Sequence, residues 1–216
     1  MKYKAVLFDL DGTLLDTLDD LADSMNAVLS AMGLPAHPPE AYKYFVGDGV
    51  EELVRRALPV GRRDPRTVTG GVQAMRTEYG RRWADKTRPY DGVEAMLDAV
   101  SDRGLPMAVF SNKPDDFTRL TVERLLPRWR FEAVRGARDG VPRKPDPAGA
   151  IQIAADLGIP AARFLYLGDT GTDMITAGAA GMYAVGALWG FRTADELRRG
   201  GAQALIRHPL DLIELL

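Results

Sequence analysis

The stretch AVLFDLDGTLLD, residues 5–16, decides how the rest of the chain is read. Ala5, Val6, Leu7 and Phe8 form an apolar run without polar alternation, and the acids Asp9, Asp11 and Asp16 follow directly. A short continuous apolar run reads as a strand covered on both faces, as in a parallel sheet. It ends in Asp-x-Asp, so acid groups stand where burial makes charge costly. In extended backbone, residues two apart point the same way, which would put Asp9 and Asp11 roughly 6–7 Å apart along the chain. Carboxylates that close raise one another's pKa unless a cation intervenes.

Beyond Asp16 the period changes. Leu18, Leu21, Ala22, Met25, Val28, Leu29 and Met32 recur at helical steps, with Asp16 or Thr17 as N-cap and Gly33 closing the helix before Pro35. VGDGVEELVRRAL (46–58) reads as helical after its glycines. Val68, Val72, Met75, Tyr79 and Trp83 mark another helix whose start Gly70 and Gly71 obscure. Residues 16–86 are thus expected to be all helical.

From residue 87 helices and buried strands alternate. The helices are expected at 92–104, 115–126, 146–158 and near 173–180, and the strands at 106–112, within 131–137, at 163–169 and in YAVGAL, with a strand-helix pair at the end. Such alternation predicts right-handed crossovers and a parallel sheet with helices on both faces. The fold class is therefore α/β: a Rossmann-like three-layer core of residues 1–15 and 87–216, with a small helical cap domain, 16–86, inserted after strand one. Ligands of open parallel sheets bind at the carboxyl ends of the strands, so the insertion would stand there as a lid.

The 216 residues suit one large domain or a core with an insert, and the 46% hydrophobic content can fill a sizeable core. A formal net charge of -2 lacks the basic footprint of nucleic-acid binding. Without cysteine, disulfides and thiolate metal sites are excluded, which leaves carboxylate and histidine sites. The apolar stretch of MKYKAVLFDLDG is far too short for a signal peptide or a membrane span, so a soluble, cytoplasmic protein is expected. His37 and His208 have no partner at ligand spacing and read as surface residues; Trp83, Trp129 and Trp189 read as packing residues.

Chemistry concentrates at strand ends. LYLGDTGTD places Asp169 and Asp173 four apart across a strand-to-helix turn. By themselves these could be an N-cap and a first-turn acid. If this strand end meets the first, the acids form a cluster of hard oxygens suited to Mg²⁺. AVFSNK closes with Ser111 and Asn112, which can donate to an anion from a loop at a helix start, although such a pair alone reads as a helix cap. VPRKPDP holds Lys144 between prolines, where a fixed ammonium can offset charge growing on a phosphoryl oxygen. The set predicts a phosphoryl-transfer site.

The order FDLDGTLLD, SN, KPDP, GDTGTD resembles the motif series of the haloacid dehalogenase-like hydrolases, over nearly the whole chain. That resemblance implies Asp9 as the nucleophile that becomes an aspartyl phosphate and Asp11 as general acid and base. It implies Ser111, Asn112 and Lys144 as the phosphate grip, and Mg²⁺ held by Asp9, Asp169 and the Asp11 main-chain carbonyl. Asp173 would orient Lys144 or a metal-bound water, while Gly12 and Thr13 match the turn after the second acid. The cap and tail segments VGDGVEELVRRAL, SNKP and GALWGFRTADELRRGGAQALI resemble the bacterial phosphoglycolate phosphatases of that family. A cationic cap residue would suit the carboxylate of such a substrate; Lys43, Arg55 and Arg56 are candidates, and Gly47 could let backbone approach a small molecule.

Other readings stay open at this point: a phosphatase acting on a sugar phosphate, nucleotide or pyrophosphate, a β-phosphoglucomutase-like mutase, or a catalytically silent binding protein. The helix LDDLADSMNAVLSAMG lacks the histidine feature of the mutases, no cap lysine is placed for a phosphonatase, and every motif acid is present. The expected partner is a small phosphate ester, with neither nucleic acid nor membrane, acted on by a monomer or homodimer.

Overall fold

The computed structural model describes residues 2–216 and divides them into two compact units. Asp16–Arg88 form one; the segments up to Leu15 and from Pro89 to Leu216 form the other. The strands are β1 (Ala5–Phe8), β2 (Leu15–Asp16), β3 (Arg88–Pro89), β4 (Met107–Pro114), β5 (Ala133–Ala137), β6 (Phe164–Gly168), β7 (Tyr183–Ala187) and β8 (Ala204–Ile206). The helices are α1 (Leu18–Ala31), α2 (Pro39–Phe45), α3 (Val50–Ala57), α4 (Pro65–Arg82), α5 (Val93–Asp102), α6 (Asp115–Leu125), α7 (Ala148–Asp156), α8 (Gly171–Ala179) and α9 (Ala194–Arg199).

The larger unit is built on a six-stranded sheet in the order β5-β4-β1-β6-β7-β8, with every pairing parallel. The four residues of β1 are fully buried, as an apolar run without alternation requires. Val6 and Phe8 face a core that includes Val93, Met96 and Leu97 of α5 and Val122 of α6. Ala5 and Leu7 face the opposite core, with Ala150 and Ile153 of α7 and Met174 and Ala177 of α8. This is the expected three-layer α/β arrangement. From β1 the chain winds outward through β4 and β5, then returns to β6 on the other side of β1. The order therefore reverses around β1, and its carboxyl end is the place where such sheets bind ligands.

The smaller unit is helical. Its second helix, α2, has no counterpart in the sequence reading: seven residues starting after Pro38 give too few turns for a periodic signal. Across Gly70 and Gly71, α4 runs unbroken from Pro65. Asp64 caps it by accepting from the Thr67 N–H at 3.0 Å, and a side chain at Gly71 would strike Val54 of α3. That glycine buys close helix approach rather than a helix start. Thr17 holds the N-cap position of α1 but makes no capping bond with its side chain. His37 is half-buried rather than at the surface, with Nε2 2.8 Å from the Ala57 carbonyl oxygen.

Candidate active site

At the carboxyl ends of β1 and β6, Phe8 pairs with Leu167 and the Asp9 N–H donates to the Leu167 carbonyl at 2.9 Å. This register brings Asp9 beside Asp169. Asp173 joins them from the first turn of α8, and one oxygen of each of the three acids lies within 4.8 Å of the others. All three are buried. Lys144 is the cation among them, its Nζ 2.7 Å from Asp9 Oδ1 and 2.7 Å from Asp173 Oδ1. The lysine is 5% exposed, so this is a buried charge cluster and not a solvated face.

Each acid is positioned differently. Asp173 Oδ1 accepts from Lys144 Nζ and from the Tyr166 hydroxyl at 3.2 Å, and its Oδ2 accepts from the Thr170 N–H at 3.1 Å and hydroxyl at 2.7 Å. The N-cap of α8 is Thr170, in a capping box with Asp173, so Asp169 stands one residue outside the helix and is not its cap. Asp169 Oδ1 accepts from the Thr13 hydroxyl at 2.9 Å, and Oδ2 from the Phe191 N–H at 2.8 Å. Gly12, at φ 86°, makes the turn after the second acid; a Cβ there would collide with the Asp169 carboxylate.

The electrostatics follow from burial. Burial, then repulsion from Asp173, pushes the Asp169 pKa up to about 7, against the pull of the Phe191 and Thr13 bonds and of Arg192. Asp9 is raised well above the usual carboxylate range, again first by burial and then by Asp173, with Lys144 opposing. Burial alone would lower Lys144, but Asp173 and Asp9 hold it well above the ordinary lysine value. Asp9 and Asp173 thus share the buried Lys144 ammonium, while Asp169 adds a third buried acid that repels them. Their hard oxygens fit a divalent cation, which would relieve that repulsion.

Asp11 stands apart from this cluster: its carboxylate takes Lys113 Nζ, 2.9 Å from Oδ1. Ser111 is buried within β4, and its Oγ accepts from the Lys113 N–H at 3.1 Å. The Asn112 carboxamide binds the chain beside the site. It is committed to the main chain of Lys144, donating to the carbonyl and accepting from the N–H, both at 3.0 Å. The segment that carries the lysine is thereby tied to β4. Lys43, Arg55 and Arg56 lie in the helical unit and pair locally, with Glu40, with Glu51 and Glu52, and with Asp48. Gly47 has φ 119° in the turn before α3.

Sequence reading missed Lys113 and the loop after β7. Trp189 Nε1 donates to the Thr13 carbonyl at 2.9 Å, so this indole holds the Asp11–Thr13 turn as well as packing. A Cβ on Gly190 would strike Asp169 and the Gly12 carbonyl. The signal available was the buried polar run SNK at a strand end; the loop's main-chain donor has no residue signature.

The family model of haloacid dehalogenase-like hydrolases matches residues 6–187. The chain belongs to that family. A phosphoglycolate phosphatase of Xanthomonas campestris pv. campestris is 33% identical over 193 residues, covering 89% of this chain and 86% of that one. An N-acetylmuramic acid 6-phosphate phosphatase of Pseudomonas aeruginosa is 33% identical over 222 residues, covering 100% and 96%. Among solved structures, one from Lactobacillus delbrueckii subsp. bulgaricus, provisionally assigned as a phosphoglycolate phosphatase, superposes with a TM-score of 0.93 at 30% identity, covering 100% of this chain and 98% of that one. This haloacid dehalogenase-like hydrolase is a phosphomonoester hydrolase, with its acids at the sheet's reversal point.

Proposed function

We propose that the protein is a Mg²⁺-dependent phosphatase acting on phosphoglycolate through an aspartyl-phosphate intermediate. The observation that carries the reading is the buried set Asp9, Asp169 and Asp173, with Lys144 paired to Asp9 and Asp173. Asp9, Asp169 and the Asp11 main-chain carbonyl would hold Mg²⁺, which supplies positive charge against which the phosphoryl group and the acids can come together. Asp9 attacks phosphorus as the bond to the ester oxygen breaks, and the leaving alkoxide takes a proton from Asp11. Asp11 then removes a proton from water, whose oxygen displaces Asp9 and releases inorganic phosphate. Lys144 and Ser111 grip phosphoryl oxygens, and Asp173 keeps Lys144 in place. Asn112 supports that grip through the Lys144 backbone.

The substrate assignment rests on the relatives. Phosphoglycolate and N-acetylmuramic acid 6-phosphate are both phosphomonoesters that carry a carboxylic acid, so the second compound is the runner-up. The helical unit is the cap in this reading, and Lys43, Gly47, Arg55 and Arg56 are its candidates for reading the substrate's carboxylate. A cytoplasmic monomer or homodimer completes the proposal; among the described residues no helix is long and apolar enough to cross a membrane. Steady-state rates on phosphoglycolate, N-acetylmuramic acid 6-phosphate, N-acetylglucosamine 6-phosphate and pyrophosphate test it, each with Mg²⁺ and with EDTA. The highest kcat/KM is expected for phosphoglycolate, with activity lost in EDTA. A preference for N-acetylglucosamine 6-phosphate or pyrophosphate would overturn the assignment.

A further inference from the structure

Lys113 is a second buried lysine at this strand end, and the proposed reaction gives it no task. Its side chain is 3% exposed and the Asp11 side chain 13%. Nζ lies 2.9 Å from Asp11 Oδ1 and 3.3 Å from Oδ2, so one ammonium spans both oxygens and fixes the carboxylate plane. The lysine backbone is itself restrained: its N–H donates to Ser111 Oγ at 3.1 Å and its carbonyl accepts from the Thr118 hydroxyl at 3.1 Å. The β4–β5 register shifts between Phe110 and Pro114, the kind of irregularity that re-aims a side chain beside a site. A Cβ at Gly136 of β5 would strike the Lys113 carbonyl oxygen, so the facing strand packs directly on this bulge.

Stability gives little reason for such a pair. A buried ion pair sacrifices hydration that an apolar pair of similar volume would not, so it contributes little net folding energy. Geometry gives a better reason. A group that exchanges a proton with a leaving oxygen has to be aimed at it, and small displacements are costly in rate.

We infer that Lys113 is the positioning residue of Asp11, holding its carboxyl toward the leaving-group oxygen. This rests on the phosphomonoesterase reading above. Proton transfer matters most for an alkyl ester, whose alkoxide leaves poorly, and least for an aryl ester such as p-nitrophenyl phosphate. Lys113→Met keeps the apolar stem and removes the charge; Lys113→Arg restores a cation.

The test measures kcat and KM on phosphoglycolate and p-nitrophenyl phosphate for wild type, Lys113→Met, Lys113→Arg, Asp11→Asn and the Asp11→Asn/Lys113→Met double variant, with thermal melts alongside. Lys113→Met is expected to lower kcat on phosphoglycolate by about tenfold or more while changing the aryl ester rate by less than about threefold. KM should stay nearly constant, Lys113→Arg should recover part of the loss, and the double variant should be no slower than Asp11→Asn. Equal losses on both esters, a loss confined to KM, or additive losses in the double variant would overturn the inference and leave the phosphatase reading standing. A wild type that hydrolyses neither ester, or an Asp11→Asn variant as fast as wild type on phosphoglycolate, would overturn the reading itself and the inference with it.

Discussion

Asp9 shares its lysine with Asp173, and this shared contact decides how the residue responds to change. Replacing Asp9 by Asn removes the proposed nucleophile and one of three mutually repelling buried charges. Turnover should fall by roughly 10³-fold or more, the scale seen when a nucleophile is deleted. The melting temperature in EDTA near pH 7.5 should not fall. Kinetics and thermal melts check both; a variant with most of its activity would mean that another group attacks phosphorus. At this scale the sequence was informative where chemistry depends on residue type and short spacing, as for Asp9 and Asp11 or Asp169 and Asp173. It was silent on Lys113 with Asp11 and on Asn112 with Lys144, because those partners lie 102 and 32 positions apart. Strand pairing and the packing of the β5–α7 segment on β4 bring such groups together.

Among the elements, the loop after β7 touches the site through three successive residues. Trp189 holds the turn at Thr13, Gly190 leaves room for Asp169, and the Phe191 N–H fixes the Asp169 carboxylate. Gly190→Ala would push a methyl group into Asp169 and the Gly12 carbonyl. The expected result is destabilisation of about 1–3 kcal/mol, typical of overpacking, with a higher Mg²⁺ concentration needed for half-maximal rate. Melts and Mg²⁺ titrations of activity would show it, and a variant matching wild type in both would remove the loop from the site. β1, β4, β6 and β7 were readable as short apolar runs, whereas α2 was too short to carry a period. The loop's role passes through main-chain atoms, which any sequence possesses.

In the whole molecule, the reversal of strand order around β1 gathers three buried acids whose oxygens fit a divalent cation. Strand-helix alternation made this parallel architecture legible; which strands lie beside β1 was not, because order in a sheet is set by crossovers and packing. This gathering of acids has a pH signature. Burial in the folded protein raises Asp169 from the ordinary 3.8 to about 7, and Asp9 moves in the same direction. The stability that Asp169 contributes to the metal-free protein is fully present below about pH 4 and is lost as the pH rises through about 7, and Asp9 acts in the same direction. Lys144 is raised above a value already near 10.5, so it adds no slope in this window.

The most direct measurement is therefore the thermal melt of the protein in EDTA and in millimolar Mg²⁺, at pH 6 and at pH 8. We expect Mg²⁺ to raise the melting temperature at both, and more at pH 8, by roughly 2–4 °C for each kcal/mol of repulsion relieved. The same melting temperature with and without Mg²⁺ at pH 8 would contradict the account.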